Sequence, residues 1–399
     1  MITGACAAGL PVEDVASAAQ IWPGVRGVKP GAVPVFLQLP PLWRRPARQC
    51  KAPAMEPDHT PNPTPDRTGA PSASVIRILA TGGTIAGRAT SAAGYRAGQI
   101  GVADLLAEAQ RLGIIGGTQT AEGRDVASIG SQDIGPPQWQ ALHRECLTAL
   151  ADPQVAGLVI THGTDTAEET GLLLDLTLPT SKPVVLVGAM RPADALGADG
   201  MRNLANALRL ARDPGAVGRG VLLVMGDRIF AARDARKRAT QGAEAFDGFP
   251  HGALGAASPV AVDWFGAADR LGDGAAYALP AQLPRVALLL AGAGMDGADV
   301  TAALASGAKG LILAGMGQGN APAAMIEALT KAAAAGLPVV RSTRVWDGLV
   351  DRNVEVDDDA KGFIAARGLN PAKSRILLQL LIGNGITDRA QIQAEFDRL

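Results

Sequence analysis

Short apolar runs alternate with amphipathic segments from Val75 onward, and this alternation constrains the fold more than any other feature of the sequence. Short apolar runs are typical of strands buried on both faces of a parallel sheet, and the amphipathic segments between them predict the helices that cover those faces. We therefore predict an α/β fold with two domains. Each domain has a mostly parallel sheet covered by helices, and the first is larger than the second.

The individual elements follow from the same pattern. The predicted strands are Val75–Ala80, Leu158–Thr161, Val184–Gly188, Val221–Met225, Val286–Leu290, Leu311–Ala314 and Val339–Arg341. The predicted helices are Gln138–Leu150, Ala167–Leu176, Asn203–Ala211, Val300–Ser306, Ala323–Ala335, Pro371–Ile382 and Arg389–Leu399.

Changes in composition predict the domain boundaries. Residues 1–73 hold 13 of the 27 prolines, and such a segment builds neither a helix nor a ladder of strands. We predict a disordered Pro-rich extension over 1–73 and a first domain over 74–268. A linker over 269–284, rich in Gly, Ala, Asp and Pro, then leads to a second domain over 285–399.

Charge and composition exclude several classes of protein. The net charge of −1 gives no electrostatic signature for nucleic acid or an anionic membrane, and no apolar run is long enough to span a bilayer. The N-terminus lacks the charged start and apolar core of a secretion signal. Three cysteines do not suggest a disulfide framework. These features predict a cytoplasmic protein that binds neither nucleic acid nor membrane.

Two glycine-rich loops follow predicted strands, where ligands gather in parallel sheets. In "ILATGGTIAG" the glycine pair precedes Thr84, which suggests a hydroxyl held out for chemistry. In "GLVITHGTDTAEETG" the residues Thr164 and Asp165 stand ahead of a helix, and the segment Thr166–Glu169 fits a capping box. Asp165 supplies an anion for an ammonium group. His162 is interpreted as a hydrogen-bonded loop residue rather than a base.

A third loop leaves a different chemistry open. Gly292, Gly294 and Gly297 have the glycine spacing of a dinucleotide-binding loop, which favours an NAD-dependent dehydrogenase as a remote alternative. That function also requires an acidic residue about 20 positions on, and "LILAGMGQGN" holds none. The four histidines have no metal-binding spacing with one another or with cysteine. We therefore expect neither a metal nor a cofactor.

Two motifs, "ATGGTIAG" and "THGTDTAEET", resemble the signature segments of bacterial-type L-asparaginases, the asparaginase/glutaminase family. The likeness covers nearly all of residues 75–399 and excludes the N-terminal extension. It continues, in order along the chain, through "IGSQD", "VGAMRP", "VMGDRIFAARDARK", "RSTRV", "EVDD" and "LNPAKSRILLQL".

The resemblance implies specific roles for five residues. Thr84 is expected to be the nucleophile that attacks a side-chain amide. Tyr95 is expected to hydrogen-bond to it from a loop over the site. Thr164, Asp165 and Lys237 match the Thr-Asp-Lys group of the family. A lysine beside a threonine in a site closed to water makes withdrawal of the hydroxyl proton easier.

The resemblance also implies how substrate is held. Ser131, Gln132 and Asp165 are expected to bind its α-carboxylate and α-ammonium groups. Glu355 is expected to reach the site of a neighbouring subunit, which implies a homotetramer with shared sites. An asparagine that some relatives place in the second domain is a glycine here, near Gly294, so the balance between asparagine and glutamine stays open.

The predicted function is hydrolysis of L-asparagine to L-aspartate and ammonia through a threonine acyl-enzyme, the reaction of an L-asparaginase. A mixed glutaminase–asparaginase is the alternative within the same chemistry. A dehydrogenase that uses the Gly292 loop and a non-catalytic amino-acid-binding protein are alternatives of other classes.

Overall fold

The computed structural model of the protein describes residues 75–91, 94–116, 120–179, 182–268 and 275–399. The predicted Pro-rich extension over 1–73 lies outside these ranges, as do residues 269–274 of the predicted linker. The described residues form an α/β structure with a larger sheet in the first domain and a smaller sheet in the second. The predicted fold class is therefore confirmed.

The first domain contains strands that belong to one large sheet and to two short ribbons. They are β1 (Val75–Gly82), β2 (Arg88–Ala89), β3 (Tyr95–Arg96), β4 (Thr120–Ile129), β5 (Val155–Thr161), β6 (Val184–Val187), β7 (Val221–Met225), β8 (Arg228–Ala231), β9 (Ala235–Lys237), β10 (Phe246–Gly248), β11 (Gly255–Ala257) and β12 (Val262–Trp264). The large sheet has the order β12-β11-β8-β7-β6-β5-β1-β4. Strands β4, β1, β5, β6 and β7 are parallel, whereas β8, β11 and β12 extend the sheet antiparallel.

Helices cover both faces of this sheet. They are α1 (Val102–Arg111), α2 (Pro136–Ala151), α3 (Ala167–Thr177) and α4 (Gly200–Leu210). Successive strand residues point to opposite faces, so Leu79 packs in the core with α2 and α3, whereas Ile78 packs in the core with α1 and α4. Burial on both faces explains why the parallel strands are continuous apolar runs.

The second domain has a four-stranded parallel sheet, in the order β13-β14-β15-β16. Its elements are β13 (Val286–Leu290), α5 (Ala298–Ala305), β14 (Gly310–Gly315), α6 (Ala323–Ala334), β15 (Val339–Thr343), α7 (Asp358–Lys361), β16 (Phe363–Ala365), α8 (Pro371–Gly383) and α9 (Arg389–Arg398). Helix α8 packs on α3 of the first domain, and both contribute to one hydrophobic core.

Every predicted strand and helix is present, with ends that differ by a few residues. The sequence did not predict α1, β4, α7, β16 or the short strands β2, β3 and β8 to β12. Strand β4 was missed because it is a polar edge strand without a continuous apolar run. Within the described ranges no helix is both long and apolar enough to cross a bilayer.

The register of the parallel strands determines where the candidate site lies. Ala80 of β1 pairs with Thr161 of β5, and Gly82 of β1 pairs with Ile129 of β4. The loops that follow these three neighbouring strands therefore emerge together at one edge of the sheet, as ligand-binding loops of parallel sheets do.

Candidate active site

Thr84 lies just beyond β1, in a 3-10 turn over Thr84–Ala86. The turn is entered through Gly83, whose φ of 78° lies in the region that favours glycine. A Cβ atom on Gly83 would be 2.4 Å from the backbone nitrogen of Gly163. The loops after β1 and β5 therefore touch backbone to backbone, and a side chain at Gly83 would separate them.

Tyr95 is the hydrogen-bonding neighbour of Thr84. The Oγ1 atom of Thr84 and the phenolic oxygen of Tyr95 are 3.0 Å apart. Thr84 is buried, whereas Tyr95 is 46% exposed. A Cβ atom on Gly87 would be 3.1 Å from Cδ2 of the tyrosine ring, so the ring covers the end of the turn that carries Thr84. The structure places the phenol at the mouth of the site.

Lys237 joins the second loop from outside the large sheet. Its ammonium group donates to Oγ1 of Thr164 over 2.8 Å and to Oδ1 of Asp165 over 2.5 Å. Thr164 is buried. The Asp165 side chain is 59% exposed and that of Lys237 is 19% exposed. A hydroxyl, an ammonium and an accessible carboxylate are thus in direct contact, as the sequence predicted for these three residues.

Ser131 links the loop after β4 to the loop after β5. Its buried hydroxyl accepts from the backbone N–H of Asp165 over 3.2 Å, and its carbonyl accepts from Oγ1 of Thr166 over 2.8 Å. A Cβ atom on Gly163 would be 2.6 Å from Oγ of Ser131. Ser131 and Asp165 are therefore neighbours in space, and their shared substrate-binding role stays a prediction.

The hydrogen bonding of Thr166 corrects one local prediction. Helix α3 begins at Ala167, as the sequence indicated, but the Thr166 side chain makes no capping hydrogen bond. Its hydroxyl donates to Ser131 instead, and Glu169 pairs with Arg375 of α8 over 2.8 Å. The capping-box prediction is wrong because both side chains take tertiary partners.

Gln132 and Glu355 are exposed, and their hydrogen-bond partners lie outside the Thr84 and Lys237 groups. The amide of Gln132 donates to Asp133 over 3.4 Å. The carboxylate of Glu355 accepts from the amide of Asn320, in the second domain. Within the described part of the chain, neither side chain has a hydrogen bond or ion pair with Thr84 or with the Lys237 group. The intrachain contacts therefore give these two residues no direct link to the hydroxyls of Thr84 and Thr164.

His162 is the titratable group next to the second glycine loop. It is fully buried, and its Nδ1 atom lies 2.7 Å from the carbonyl oxygen of Gly163. Burial lowers the pKa of His162 to about 4, against the opposing effect of that hydrogen bond. The ring is neutral and paired with the backbone at neutral pH, which agrees with its interpretation as a structural loop residue.

The Gly292 loop has only part of the geometry of a dinucleotide site. It connects a strand to a helix, as that function requires, and Gly294 has a φ of 77°. However, β13 is an edge strand of its sheet, whereas dinucleotides bind at the point where the strand order reverses. Both the missing acidic residue and this topology argue against a dehydrogenase. Among the described residues, no three His, Cys, Asp or Glu side chains are grouped to hold a metal ion.

A cavity of about 520 Å³ is lined by other residues, mostly of the first domain. Its lining includes Arg233, Asp234 and His251. These side chains contact one another, because Asp234 is 3.1 Å from Arg233 and 3.0 Å from His251. The cavity contains neither threonine hydroxyl and no part of the Lys237 group, so we place the candidate site at the strand ends.

One buried residue near the site was missed from the sequence. Lys373 is completely buried in the first turn of α8 and contacts the segment that leads to Lys237. The sequence does contain a signal for its burial, because Ile376, Leu377 and Leu380 lie three, four and seven positions later. That spacing puts Lys373 on the apolar face of its helix.

Two family models match the chain. The asparaginase N-terminal domain matches residues 75–270, and the glutaminase/asparaginase C-terminal domain matches residues 285–396. The gap between the two matches lies within the segment that the sequence predicted as a linker.

Individual relatives agree with these matches. A probable periplasmic L-asparaginase of Haemophilus influenzae is 39% identical over 316 residues, which are 77% of this chain and 88% of the relative. L-asparaginase 2 of Escherichia coli is 38% identical over 81% of this chain and 92% of the relative. A glutaminase-asparaginase of Pseudomonas fluorescens is 37% identical over 77% and 86%. The crystal structure of a probable cytoplasmic L-asparaginase from Campylobacter jejuni superposes with a TM-score of 0.75, at 34% identity, over 82% of this chain and all of that chain.

Proposed function

Since the chain belongs to the bacterial-type asparaginase/glutaminase family, we propose that it hydrolyses L-asparagine to L-aspartate and ammonia with Thr84 as the nucleophile. One observation carries the assignment of the nucleophile. Thr84, paired with Tyr95, and Thr164, paired with Lys237, lie on two loops that touch at Gly83. The loops thus bring two activated hydroxyls to one edge of the sheet.

The first half of the proposed reaction forms an ester on Thr84. Oγ1 of Thr84 bonds to the side-chain amide carbon of asparagine. Tyr95 relays the proton. Its phenolic oxygen accepts the proton of Thr84, and the proton that the phenol carried is transferred to the amide nitrogen. The C–N bond then breaks and ammonia leaves. A threonine hydroxyl needs such an activating partner because it is a weak nucleophile when protonated.

The second half of the proposed reaction releases aspartate. The Lys237 ammonium donates to Oγ1 of Thr164 over 2.8 Å, and a charge-assisted donor stabilises developing negative charge on that oxygen. Thr164 can therefore take part in moving a proton from water as the water attacks the ester carbon. The ester bond to Thr84 breaks, Thr84 recovers its proton, and aspartate leaves.

The substrate's α-amino acid group is assigned to the rim of the site. The exposed carboxylate of Asp165 suits an α-ammonium group, and the backbone N–H of Asp165 donates to Ser131, whose hydroxyl suits an α-carboxylate. Gln132 is exposed next to Ser131 and is assigned to the same group. The proposed steps use side chains and water only, and require no metal or cofactor.

We further propose a homotetramer in which Glu355 completes the site of a neighbouring subunit. Glu355 is exposed in the second domain, and its hydrogen bond to Asn320 fixes it there. In the described part of its own chain it makes no hydrogen bond or ion pair to the Thr84 or Thr164 groups. An exposed acid that bonds to neither group of its own chain is available to a neighbouring site.

A mixed glutaminase–asparaginase is the second candidate. Relatives with that name are 36 to 38% identical to this chain. The space beside Gly294, where the sequence lacks the asparagine of some relatives, is open, because a Cβ atom there would have nothing within 4 Å.

We propose a cytoplasmic location, as in the name of the Campylobacter jejuni relative, although the Haemophilus influenzae relative is named periplasmic. Fractionation of the source cells, with ammonia release assayed in each fraction, tests the location.

Ammonia release from L-asparagine and, separately, from L-glutamine tests the proposed function. We expect turnover of asparagine with a higher kcat/KM than that of glutamine, and loss of turnover in Thr84→Ala. Thr301→Ala is the matched control, because Thr301 is an exposed threonine of α5 that donates to Gly297 within its helix region. Comparable kcat/KM for the two amides would favour the mixed enzyme, and full activity of Thr84→Ala would refute the nucleophile.

A further inference from the structure

Lys373 is a buried cation outside the proposed catalytic group. It lies in the first turn of α8 with 0% exposure. Its ammonium group donates to the carbonyl oxygen of Arg233 over 2.6 Å and also to that of Ala235. A buried ammonium is costly unless it is hydrogen-bonded. These two hydrogen bonds therefore offset part of the cost of burying the Lys373 ammonium group.

The two carbonyls lie at the start of the strand that carries Lys237. Strand β9 runs over Ala235–Lys237 and lies outside the large sheet. Its strand partner in the described residues is β10, in a ribbon where Lys237 pairs with Phe246. Lys373 holds the chain at and just before the first residue of this short strand. Its ammonium group thereby bonds to backbone carbonyl oxygens, as the N–H groups of a neighbouring strand do elsewhere in the fold.

The same helix also holds the loop that carries Asp165. The amide of Asn370 donates to Glu168 over 3.1 Å, and Arg375 pairs with Glu169 over 2.8 Å. Both acids lie in the first turn of α3, directly after Thr164 and Asp165. Helix α8 is therefore bonded to both segments that meet in the Lys237 group.

Charges around Lys373 support this arrangement. Burial lowers the pKa of Lys373 to about 8, while the nearby carboxylate of Glu168 acts in the opposite direction. Burial likewise raises the pKa of Glu168, and the charge of Lys373 opposes that rise. The opposite charges on α8 and α3 attract each other.

We propose that Lys373 is a positioning residue for Lys237: by holding the Arg233 and Ala235 carbonyls, it fixes the start of β9 so that the Lys237 ammonium reaches Thr164. The inference rests on the proposed function, because it assigns the effect to Lys237. Displacement of a reacting group by about 1 Å can cost about 10²-fold in rate. Loss of Lys373 is therefore expected to lower turnover, although Lys373 itself does not contact substrate.

Steady-state kinetics of Lys373→Met in the full-length protein tests this positioning role. We expect kcat for L-asparagine to fall roughly 10- to 100-fold, with a smaller change in KM, at temperatures well below its Tm. Lys373→Gln keeps one amide donor and a smaller desolvation cost, so it should fold and give an intermediate kcat. Leu380→Ala is the control, because Leu380 is buried two turns later on the same face of α8. It should lower Tm and retain kcat.

A double variant separates positioning from a general structural role. If Lys373 acts through Lys237, then Lys237→Met with Lys373→Met should have the same kcat as Lys237→Met alone, because coupled residues are non-additive. A full additional loss in the double variant would overturn the inference. So would wild-type kcat in folded Lys373→Met or Lys373→Gln.

The same variants distinguish this failure from failure of the proposed function. If Lys237→Met loses turnover while the folded Lys373 variants keep it, only the positioning role is wrong. If wild-type protein releases no ammonia, or Lys237→Met keeps the wild-type rate, the proposed function of the group is wrong and the positioning role falls with it.

Discussion

The Nζ atom of Lys237 lies 2.8 Å from Oγ1 of Thr164, although 73 residues separate them in sequence. Thr164 follows a central parallel strand, whereas Lys237 comes from the short β9–β10 ribbon outside that sheet. Loops after the parallel strands thus carry the two hydroxyls, and a separate ribbon carries the ammonium that donates to one of them. Because the hydroxyls and the ammonium lie on different elements, single substitutions can test the contribution of each group to turnover.

Replacement of Lys237 by methionine should remove the polarising charge while keeping most of the length of the side chain. We expect kcat for L-asparagine to fall about 10²- to 10⁴-fold, the range typical of lost acid–base assistance. KM should change as well, because Asp165 loses its 2.5 Å partner. Lys331→Met is the control, since Lys331 is an exposed lysine of α6 that pairs with Glu327. An unchanged kcat in Lys237→Met would contradict its role.

Tyr95→Phe should keep the ring over the Thr84 turn and remove the hydroxyl that lies 3.0 Å from Oγ1. We expect kcat to fall about 10²-fold because the proton relay is lost. The other tyrosine of the chain provides the comparison. Tyr277 bonds to Glu395 over 2.6 Å, so Tyr277→Phe should reduce stability and leave kcat near wild type. Equal kcat values for the two variants would remove Tyr95 from the mechanism.

Mixing two inactive variants should reveal a site shared between subunits. Thr84→Ala and Glu355→Ala subunits, dissociated and reassembled together, should regain ammonia release, because some sites then combine an intact Thr84 with an intact Glu355. Thr84→Ala mixed with Lys237→Met should stay inactive, since both groups belong to the same chain's site. No recovery in the first mixture, with mixed oligomers verified by mass, would contradict the role of Glu355.

The buried ring of His162 predicts a pH dependence of stability. Its pKa is lowered to about 4, below the usual value near 6.5, so the unfolded chain takes up the proton first as pH falls. The neutral His162 ring makes its full contribution to the free energy of unfolding above about pH 6.5, and this contribution is lost as pH falls towards 4. The total loss is roughly 3 kcal/mol, at 1.36 kcal/mol per unit of difference between the two pKa values. Denaturant unfolding of wild type and His162→Gln between pH 7.5 and 5 should show a shallower pH slope for the variant. Parallel slopes would contradict this assignment.

Much of the fold could be predicted from the sequence because the parallel strands are buried on both faces. Strands such as β5 and β7 must then be apolar throughout, and that pattern is visible without a structure. Strand β4 was not visible because an edge strand with exposed polar residues lacks this constraint. Its position could be found only through its pairing with β1.

The contacts within the candidate site were more predictable than the contacts that support it. The motifs around Thr84 and Thr164 point to these residues as candidates, and their positions after adjacent strands predict that their loops meet. The burial of Lys373 was missed because lysine is almost always exposed, and its hydrogen bonds reach another domain. The capping-box prediction failed because Thr166 takes a partner 35 residues away, which local sequence does not reveal.

Acid quenching of the wild-type protein during turnover of L-asparagine, followed by mass spectrometry of its peptides, tests the central claim most directly. The account predicts that the peptide containing Thr84 gains the mass of one aspartyl group, attached through Oγ1, and that Thr84→Ala shows no such species. An aspartyl group attached to a different side chain, or undiminished ammonia release by Thr84→Ala, would contradict it.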